Sequence, residues 1–121
     1  MPHLTLEFTN NLSGFDAQKA LLHMNKALFG SGHFDEADIK SRAIAFDCFV
    51  IGTSPENRAF IHAKLAVLSN RPPAVRQALS AMLLQELSGL LPEQPGLHVQ
   101  VCVEILEIER DTYSKNVLKA S

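Results

Sequence analysis

A proline directly after the initiator methionine is the first chemically distinctive feature of this sequence. Methionine before a small residue such as Pro2 is usually removed during synthesis, which would leave Pro2 as a free secondary amine. Burial and nearby cations lower the pKa of an α-amino group, and a neutral amine can accept a proton and return it as an acid. If Met1 is retained, the Pro2 nitrogen is an amide and has no basicity. The alternative is that a proline at position two has no functional role.

Three cations could act together with this amine. Lys40 and Arg42 lie at the start of a predicted strand, and Arg71 lies at the start of a predicted helix. A strand start and a helix N-terminus can meet at one edge of a sheet, and the helix dipole there favours anions. Because arginine binds carboxylates through two parallel N–H groups, the set indicates proton transfer on a carboxylate-bearing substrate. The alternative is three unrelated surface cations.

The elements that must position these groups follow from hydrophobic periodicity and from turn residues. Strict alternation predicts the first strand over 2–9, and the same kind of pattern predicts further strands over 41–51, 58–68 and 97–108. Apolar residues at helical spacing predict helices over 16–29, with Asp16 as N-cap, and over 73–91, with proline in the first turn. A polar tail follows from 109 to 121, with Tyr113 as a possible anchor.

These elements form two consecutive β-α-β units, over about 2–51 and 58–108, within a single domain that spans residues 1–121. Strands one and three begin 56 residues apart, at 2 and 58, and strands two and four also begin 56 residues apart, at 41 and 97. Each unit should be a right-handed crossover with parallel strands. The fold class is therefore α+β, with two helices on one face of a four-stranded mixed sheet. Strands two and three are apolar on both faces, so we expect subunits to cover the other face by association.

Composition restricts the class of protein. The chain has 121 residues, of which 46% are hydrophobic and 20% charged, as in a folded domain of ordinary size. A net charge of −2 gives no general affinity for nucleic acid. No apolar run approaches the ~20 residues needed to span a membrane, and we expect no signal peptide. We therefore expect a cytoplasmic protein, in which Cys48 and Cys102 are buried free thiols.

Other possible sites carry weak signals. The acidic segment 34–38 lacks calcium-loop spacing and is interpreted as solvated surface, and one helical turn is expected within 34–39. The five histidines show no metal-ligand spacing, and His62 is interpreted as a satisfied core or interface residue. We therefore expect neither a metal nor another cofactor.

The ordered set of residues resembles the tautomerase superfamily, and within it the 5-carboxymethyl-2-hydroxymuconate Δ-isomerase family. The resemblance covers nearly the whole chain. It is carried by the segments Met1-Pro2-His3-Leu4 with Glu7, Ile39-Lys40-Ser41-Arg42, Phe60-Ile61-His62, Asn70-Arg71 with Arg76-Gln77, Val103-Glu104-Ile105, and Tyr113 to Asn116.

This resemblance implies a cofactor-independent isomerase that assembles as a homotrimer. It implies that Pro2 is the catalytic base, which moves a proton on a small unsaturated carboxylated enol from aromatic-compound breakdown. It also implies that Arg71 binds a substrate carboxylate, with Lys40 and Arg42 as further substrate-binding candidates. At Lys40 the family prefers arginine, and lysine lacks the fork geometry, which affects the identity of the substrate more than the type of reaction. The alternative is a non-catalytic ferredoxin-like ligand-binding or assembly module.

Overall fold

A four-stranded sheet, covered on one face by two helices, forms the core of the computed structural model, which describes residues 1–120. In chain order the elements are β1 (His3–Thr9), α1 (Ala17–Gly30), β2 (Lys40–Phe46), β3 (Arg58–Leu68), α2 (Pro73–Leu90) and β4 (His98–Ile108). Two short 3-10 turns lie at Glu36–Asp38 and Arg110–Thr112. The predicted architecture of four strands and two helices is confirmed.

The sheet has the strand order β2-β1-β3-β4. Strand β1 is parallel to β2, β3 is parallel to β4, and the two central strands β1 and β3 are antiparallel. Each helix thus connects two parallel neighbours, as the tandem β-α-β prediction requires. The N-terminal strand is central, so it is hydrogen-bonded along both of its edges.

The core lies between the sheet and the helices. Every second residue of β3 is fully buried, as expected for side chains that alternate between the two faces of a strand. Each helix presents a row of buried residues spaced four apart, which places them on one side of the helix. These buried residues are Ala59, Ile61, Ala63, Leu65 and Val67 in β3, Ala20, Met24 and Leu28 in α1, and Leu79, Leu83 and Leu87 in α2.

Both helices begin with the predicted signals. The Asp16 carboxylate accepts a hydrogen bond from the Lys19 N–H at 3.1 Å and caps α1. Helix α2 begins at Pro73, where the missing N–H costs no intrahelical bond, and it ends at Leu90. Within residues 1–120, no helix combines the length and the apolar character needed to cross a membrane.

The prediction that the second strand continues to residue 51 is wrong. Strand β2 ends at Phe46, because its partner β1 ends at Thr9, which is aligned with Phe46. The last hydrogen bond of this pair runs from the Asn10 N–H to the Phe46 carbonyl at 3.0 Å. Strand β2 is an edge strand of the sheet, and the apolar residues that follow it have no strand partner within the described chain.

The expectation that the two thiols are buried is wrong for the single chain, whereas the cover of the second face of β2 by other subunits stays a prediction. Cys48 lies beyond the end of β2 and is exposed, and Cys102 lies on β4 and is exposed as well. Cys102 is aligned with His62 on the sheet face that carries no helix. We call this the open face; it includes His3, Glu7, Arg42, Ile44, His62, Lys64, Glu104 and Leu106. Both cysteines are free thiols, as predicted.

Candidate active site

The N-terminus is fixed by the sheet. Pro2 is fully buried at the beginning of β1. Its carbonyl accepts a hydrogen bond from the backbone N–H of Lys40 at 3.2 Å, which ties the first residues to the start of β2. Chain termini are usually frayed unless they are held in this way. The expectation that the first strand fixes Pro2 in place therefore agrees with the structure.

A cleft of about 270 Å³ opens beside the N-terminus. Met1 forms part of one wall, and Arg71 and Leu68 approach it from the end of β3 and the residues that follow. The remaining lining residues come from the segment between α1 and β2; they are Gly32, His33, Phe34, Asp35 and Asp38. The structure thus brings the N-terminus and Arg71 to one cavity, although they are far apart in the sequence.

Arg71 is held by backbone geometry and by packing. Asn70 adopts a left-handed conformation with φ of 80°, which asparagine tolerates better than most residues and which turns the chain between β3 and α2. The Arg71 guanidinium carbon lies 4.7 Å from the centre of the Phe34 ring, a cation–π arrangement. Its Nη2 donates to the His33 carbonyl at 3.4 Å. Its buried Nε–H has no hydrogen-bond acceptor among residues 1–120, so a donor is available for a bound anion.

Lys40 provides positive charge next to the N-terminal amine. Its ammonium group donates a hydrogen bond to the Asp38 carbonyl. Burial is the main cause that lowers the pKa of the Met1 amine below its ordinary value of 8.0, and the charge of Lys40 is the second. The Asp38 carboxylate opposes this change, whereas Lys115 adds to it. These surroundings shift the amine towards its neutral form, the form that can accept a proton.

Arg42 lies on the open face and does not line the cleft. Its Nη2 is 2.8 Å from Nδ1 of His3, and Nε2 of His3 is 3.2 Å from the hydroxyl of Tyr113. Burial, followed by the charges of Arg42 and Lys40, lowers the pKa of His3. Neutral His3 connects the Arg42 guanidinium to the tail. The structure thus separates Arg42 from the residues that line the cleft with Arg71.

Two features of this region, the burial of Phe34 and a contact of Asp38, are not predicted by the sequence patterns. The acidic segment was interpreted as solvated surface, which holds for Asp35 and Glu36 but not for Phe34, which is 7% exposed. The Asp38 carboxylate accepts a hydrogen bond from Nζ of Lys115 at 2.8 Å, 77 residues away in the sequence. The contact depends on the path of the tail, which periodicity does not reveal. Tyr113 was noted as an anchor, and its contact with His3 agrees with that interpretation.

The other candidate groups have ordinary structural partners. His62 is partly buried on the open face, where its Nε2 is 2.7 Å from Oε1 of Glu104. Within residues 1–120, no group of three or more His, Cys, Asp or Glu side chains is arranged to hold a metal ion.

Sequence comparison decides the family. The sequence model described as 5-carboxymethyl-2-hydroxymuconate isomerase matches residues 2–121. The chain belongs to this family. The predicted resemblance is thereby confirmed, and the protein is an isomerase. No curated protein matches the chain in sequence.

Solved structures agree with this assignment. The chain is similar to a 5-carboxymethyl-2-hydroxymuconate isomerase from Deinococcus radiodurans R1, with 26% identity and a TM-score of 0.88 over 95% of this chain and 88% of that chain. It shares its fold with a 5-carboxymethyl-2-hydroxymuconate delta-isomerase at 18% identity and a TM-score of 0.82, covering 97% and 88% of the two chains. A fused 4-OT wild type symmetric trimer has the same fold at 18% identity and a TM-score of 0.64, covering 87% and 85%.

These comparisons confirm the tautomerase-like fold and the class of a cofactor-independent isomerase. The alternative of a non-catalytic ferredoxin-like module is not favoured, because the family match extends over almost the whole chain. The comparisons do not assign individual residues, so the roles of Pro2, Arg71, Lys40 and Arg42 depend on the chemistry of the cleft.

Replacement of Lys40 tests the electrostatic description of the amine. In Lys40→Met the pKa of the Met1 amine should rise towards 8.0 without reaching it, because burial is the larger cause and stays in place. NMR titration of the labelled Met1 resonances, with Met24 and Met82 as internal references, measures this change. Lys64→Met is the matched control, because Lys64 is paired with Glu7 at 2.9 Å on the open face. Equal titration curves for the wild type and Lys40→Met would contradict the assigned role of Lys40.

Proposed function

We propose that this chain, once Met1 is removed, uses the Pro2 amine as the base and acid of a proton-transfer isomerisation. The substrate class is a small unsaturated carboxylated enol, such as those formed in the breakdown of aromatic compounds. The observation that carries the proposal is that the N-terminus and Arg71 line one cleft. Family membership supports the reaction class, and the cleft supports the assignment of residues.

The environment of the N-terminus suits a base. Met1 occupies the cleft wall directly ahead of Pro2, so its removal would expose the Pro2 nitrogen to the same cavity. The features that lower the pKa of the Met1 amine, burial and the charge of Lys40, also surround Pro2. A base whose pKa lies near the working pH takes up and releases protons with little energetic cost.

The proton balance of the reaction is simple. The neutral Pro2 amine removes the proton from the enol hydroxyl, and the electron pair moves through the conjugated system as the carbonyl forms. The ammonium then returns the proton to a carbon of that system, and the amine is neutral again. The product is an isomer of the substrate, so the sequence of steps consumes no other reactant.

Arg71 supplies the carboxylate site in this proposal. Its stacking on Phe34 and its bond to the His33 carbonyl restrict the guanidinium, which reduces the entropy lost when a ligand binds. The buried Nε–H without an acceptor in residues 1–120 offers a charge-assisted hydrogen bond. A bound carboxylate would accept a hydrogen bond from that donor, so ligand binding would remove the energetic cost of burying it without an acceptor.

Lys40 and Arg42 have smaller roles in substrate binding. Lys40 lies beside the amine, so its first effect is on the charge of the base, and its flexible ammonium orients a carboxylate less well than arginine does. Arg42 is exposed and contacts His3 on the open face. Arg42 would reach a substrate only if the substrate or a second subunit extended the cleft across His3.

We further propose that three copies of the chain associate through their open faces. Support comes from the fused 4-OT relative, which is described as a symmetric trimer and shares the fold. The open face also carries apolar side chains that stay in contact with water in the single chain, with Ile44 49% and Leu106 42% exposed. Association would bury this apolar surface, which is favourable at roughly 25 cal/mol per Å².

Comparison of chains with and without Met1 tests the base. The Met1-free protein should ketonise 2-hydroxymuconate-like dienols without added metal or nucleotide, and the Met1-retaining protein should be much slower because its Pro2 nitrogen is an amide. Turnover is followed by ultraviolet absorbance, and intact mass establishes the state of the N-terminus. Equal rates in both forms would remove Pro2 from the mechanism. Pro2→Ala is a poorer test, because alanine still offers a primary amine.

Substitution of Arg71 tests the carboxylate site. In Met1-free protein, Arg71→Ala should lower kcat/KM by roughly 10- to 150-fold, the loss expected for a charged hydrogen bond. The kcat/KM of Arg71→Lys should lie between those of the wild type and Arg71→Ala, because lysine keeps the positive charge but cannot donate two parallel hydrogen bonds. Arg58→Ala is the control, since Arg58 begins β3 at the other end of that strand and pairs with Glu56 at 3.9 Å. If Arg71→Ala retains full activity in an intact oligomer, the substrate site is misplaced.

Sedimentation equilibrium tests the association. The wild type should sediment as a trimer at micromolar concentration, and Leu106→Asp should shift it towards monomer by placing a charge in the interface. Leu84→Asp is the matched control, because Leu84 is exposed to a similar extent, 40%, but lies on α2 on the opposite side of the sheet. A wild type that is monomeric, or a Leu106→Asp variant that is as trimeric as the control, would contradict the proposed interface.

A further inference from the structure

The C-terminal tail is attached to the candidate active site by side chains. After β4 it contains a short 3-10 turn, from which Nε of Arg110 donates to the Ser69 carbonyl at 3.0 Å. Three residues later, the Tyr113 hydroxyl is 3.2 Å from Nε2 of His3. Lys115 then donates to the Asp38 carboxylate at 2.8 Å. The tail therefore crosses from the end of β3 to the starts of β1 and β2.

Asp38 is the residue at which these contacts meet. Its carboxylate accepts Nζ of Lys115, and its backbone carbonyl accepts Nζ of Lys40. It also lines the cleft together with Met1 and Arg71. Asp38 therefore contacts both of the lysines whose charges act on the amine. The hydrogen bond from Lys115 lowers the pKa of Asp38, so the carboxylate is charged at neutral pH.

We propose that Asp38 and Lys115 form an ion pair that sets the net charge beside the N-terminal amine and makes the tail a part of the candidate active site. The inference rests on the proposed role of the N-terminal amine as the base. Neither residue needs to contact the substrate. The pair acts through the net charge of the groups around the amine.

The charges around the amine predict opposite effects for the two partners. Lys40 and Lys115 disfavour the protonated amine, whereas Asp38 favours it. His33, Asp35 and Arg71 also line the cleft, and His3 lies within reach of the charge on the amine. Removal of the Lys115 charge leaves the Asp38 carboxylate uncompensated, so the amine should hold its proton to a higher pH. Removal of the Asp38 charge should release the proton at a lower pH. A role in stability alone would not produce shifts of opposite sign.

Titration of the full chain with Met1 retained tests the inference without reference to catalysis. By NMR, the pH midpoint of the Met1 amine should move upwards in Lys115→Met and downwards in Asp38→Asn. Lys115→Arg should restore the wild-type midpoint, because it keeps the charge that pairs with Asp38. Lys119→Met is the control, because this substitution removes the same charge from an exposed position four residues further along the tail.

Kinetics of the Met1-free chain provide the second measurement. Below the pH midpoint, kcat/KM should fall roughly 1.5- to 5-fold in Lys115→Met and rise by a similar factor in Asp38→Asn, a size typical of partly exposed ion pairs. Midpoints that stay unchanged, or that move in the same direction in both variants, would overturn the inference. Opposite shifts in a chain that is inactive after Met1 removal would support the effect of the ion pair on the amine and refute the proposed function.

Discussion

The placement of β1 between two hydrogen-bonded neighbours is the constraint on which the rest of the structure depends. Parallel pairing with β2 sets the position of Lys40 next to residue 3, and antiparallel pairing with β3 aligns His3 with Ala66, near the end of β3 that leads to Arg71. A central strand has no free edge, so the first residues cannot shift without breaking pairs on both sides. Pairing within the sheet thereby fixes the position of a chain end as firmly as that of a residue inside the chain.

The same arrangement makes the lowered pKa of the amine compatible with the proposed carboxylate site at Arg71. Cations near the N-terminus disfavour a further positive charge on the amine, and they also attract a carboxylate. One cluster of lysine and arginine can therefore prepare the base and bind the substrate. Asp38 opposes both effects, and its pairing with Lys115 at 2.8 Å limits that opposition. The net charge of the site thus depends on a tail residue, although the tail adds little to the hydrophobic core.

Sequence patterns predicted the fold and much of the candidate site. Alternation in β3 and four-residue spacing in α2 are strong signals, because they record burial on one face of each element. The end of β2 was predicted too late, since the apolar residues after Phe46 continue the pattern although β1 has already ended. The contact of Lys115 with Asp38 was missed, because it depends on the path of an irregular segment. The hydrophobic pattern of the sequence indicates which face of a helix or strand is buried, but it does not indicate which distant side chains are in contact.

The central position of β1 also has a consequence for the order in which the molecule folds during synthesis. The first strand leaves the ribosome early, yet Leu4 pairs with Leu65 and His3 contacts Tyr113, 110 residues further along the chain. Contacts of such long sequence separation close slowly. The first strand therefore lacks its antiparallel neighbour β3 and its contact with the tail until those segments have been made, and an aminopeptidase would reach Met1 most easily in that interval. The candidate active site is therefore completed only when the tail has been made, although it is built around the residues that are made first.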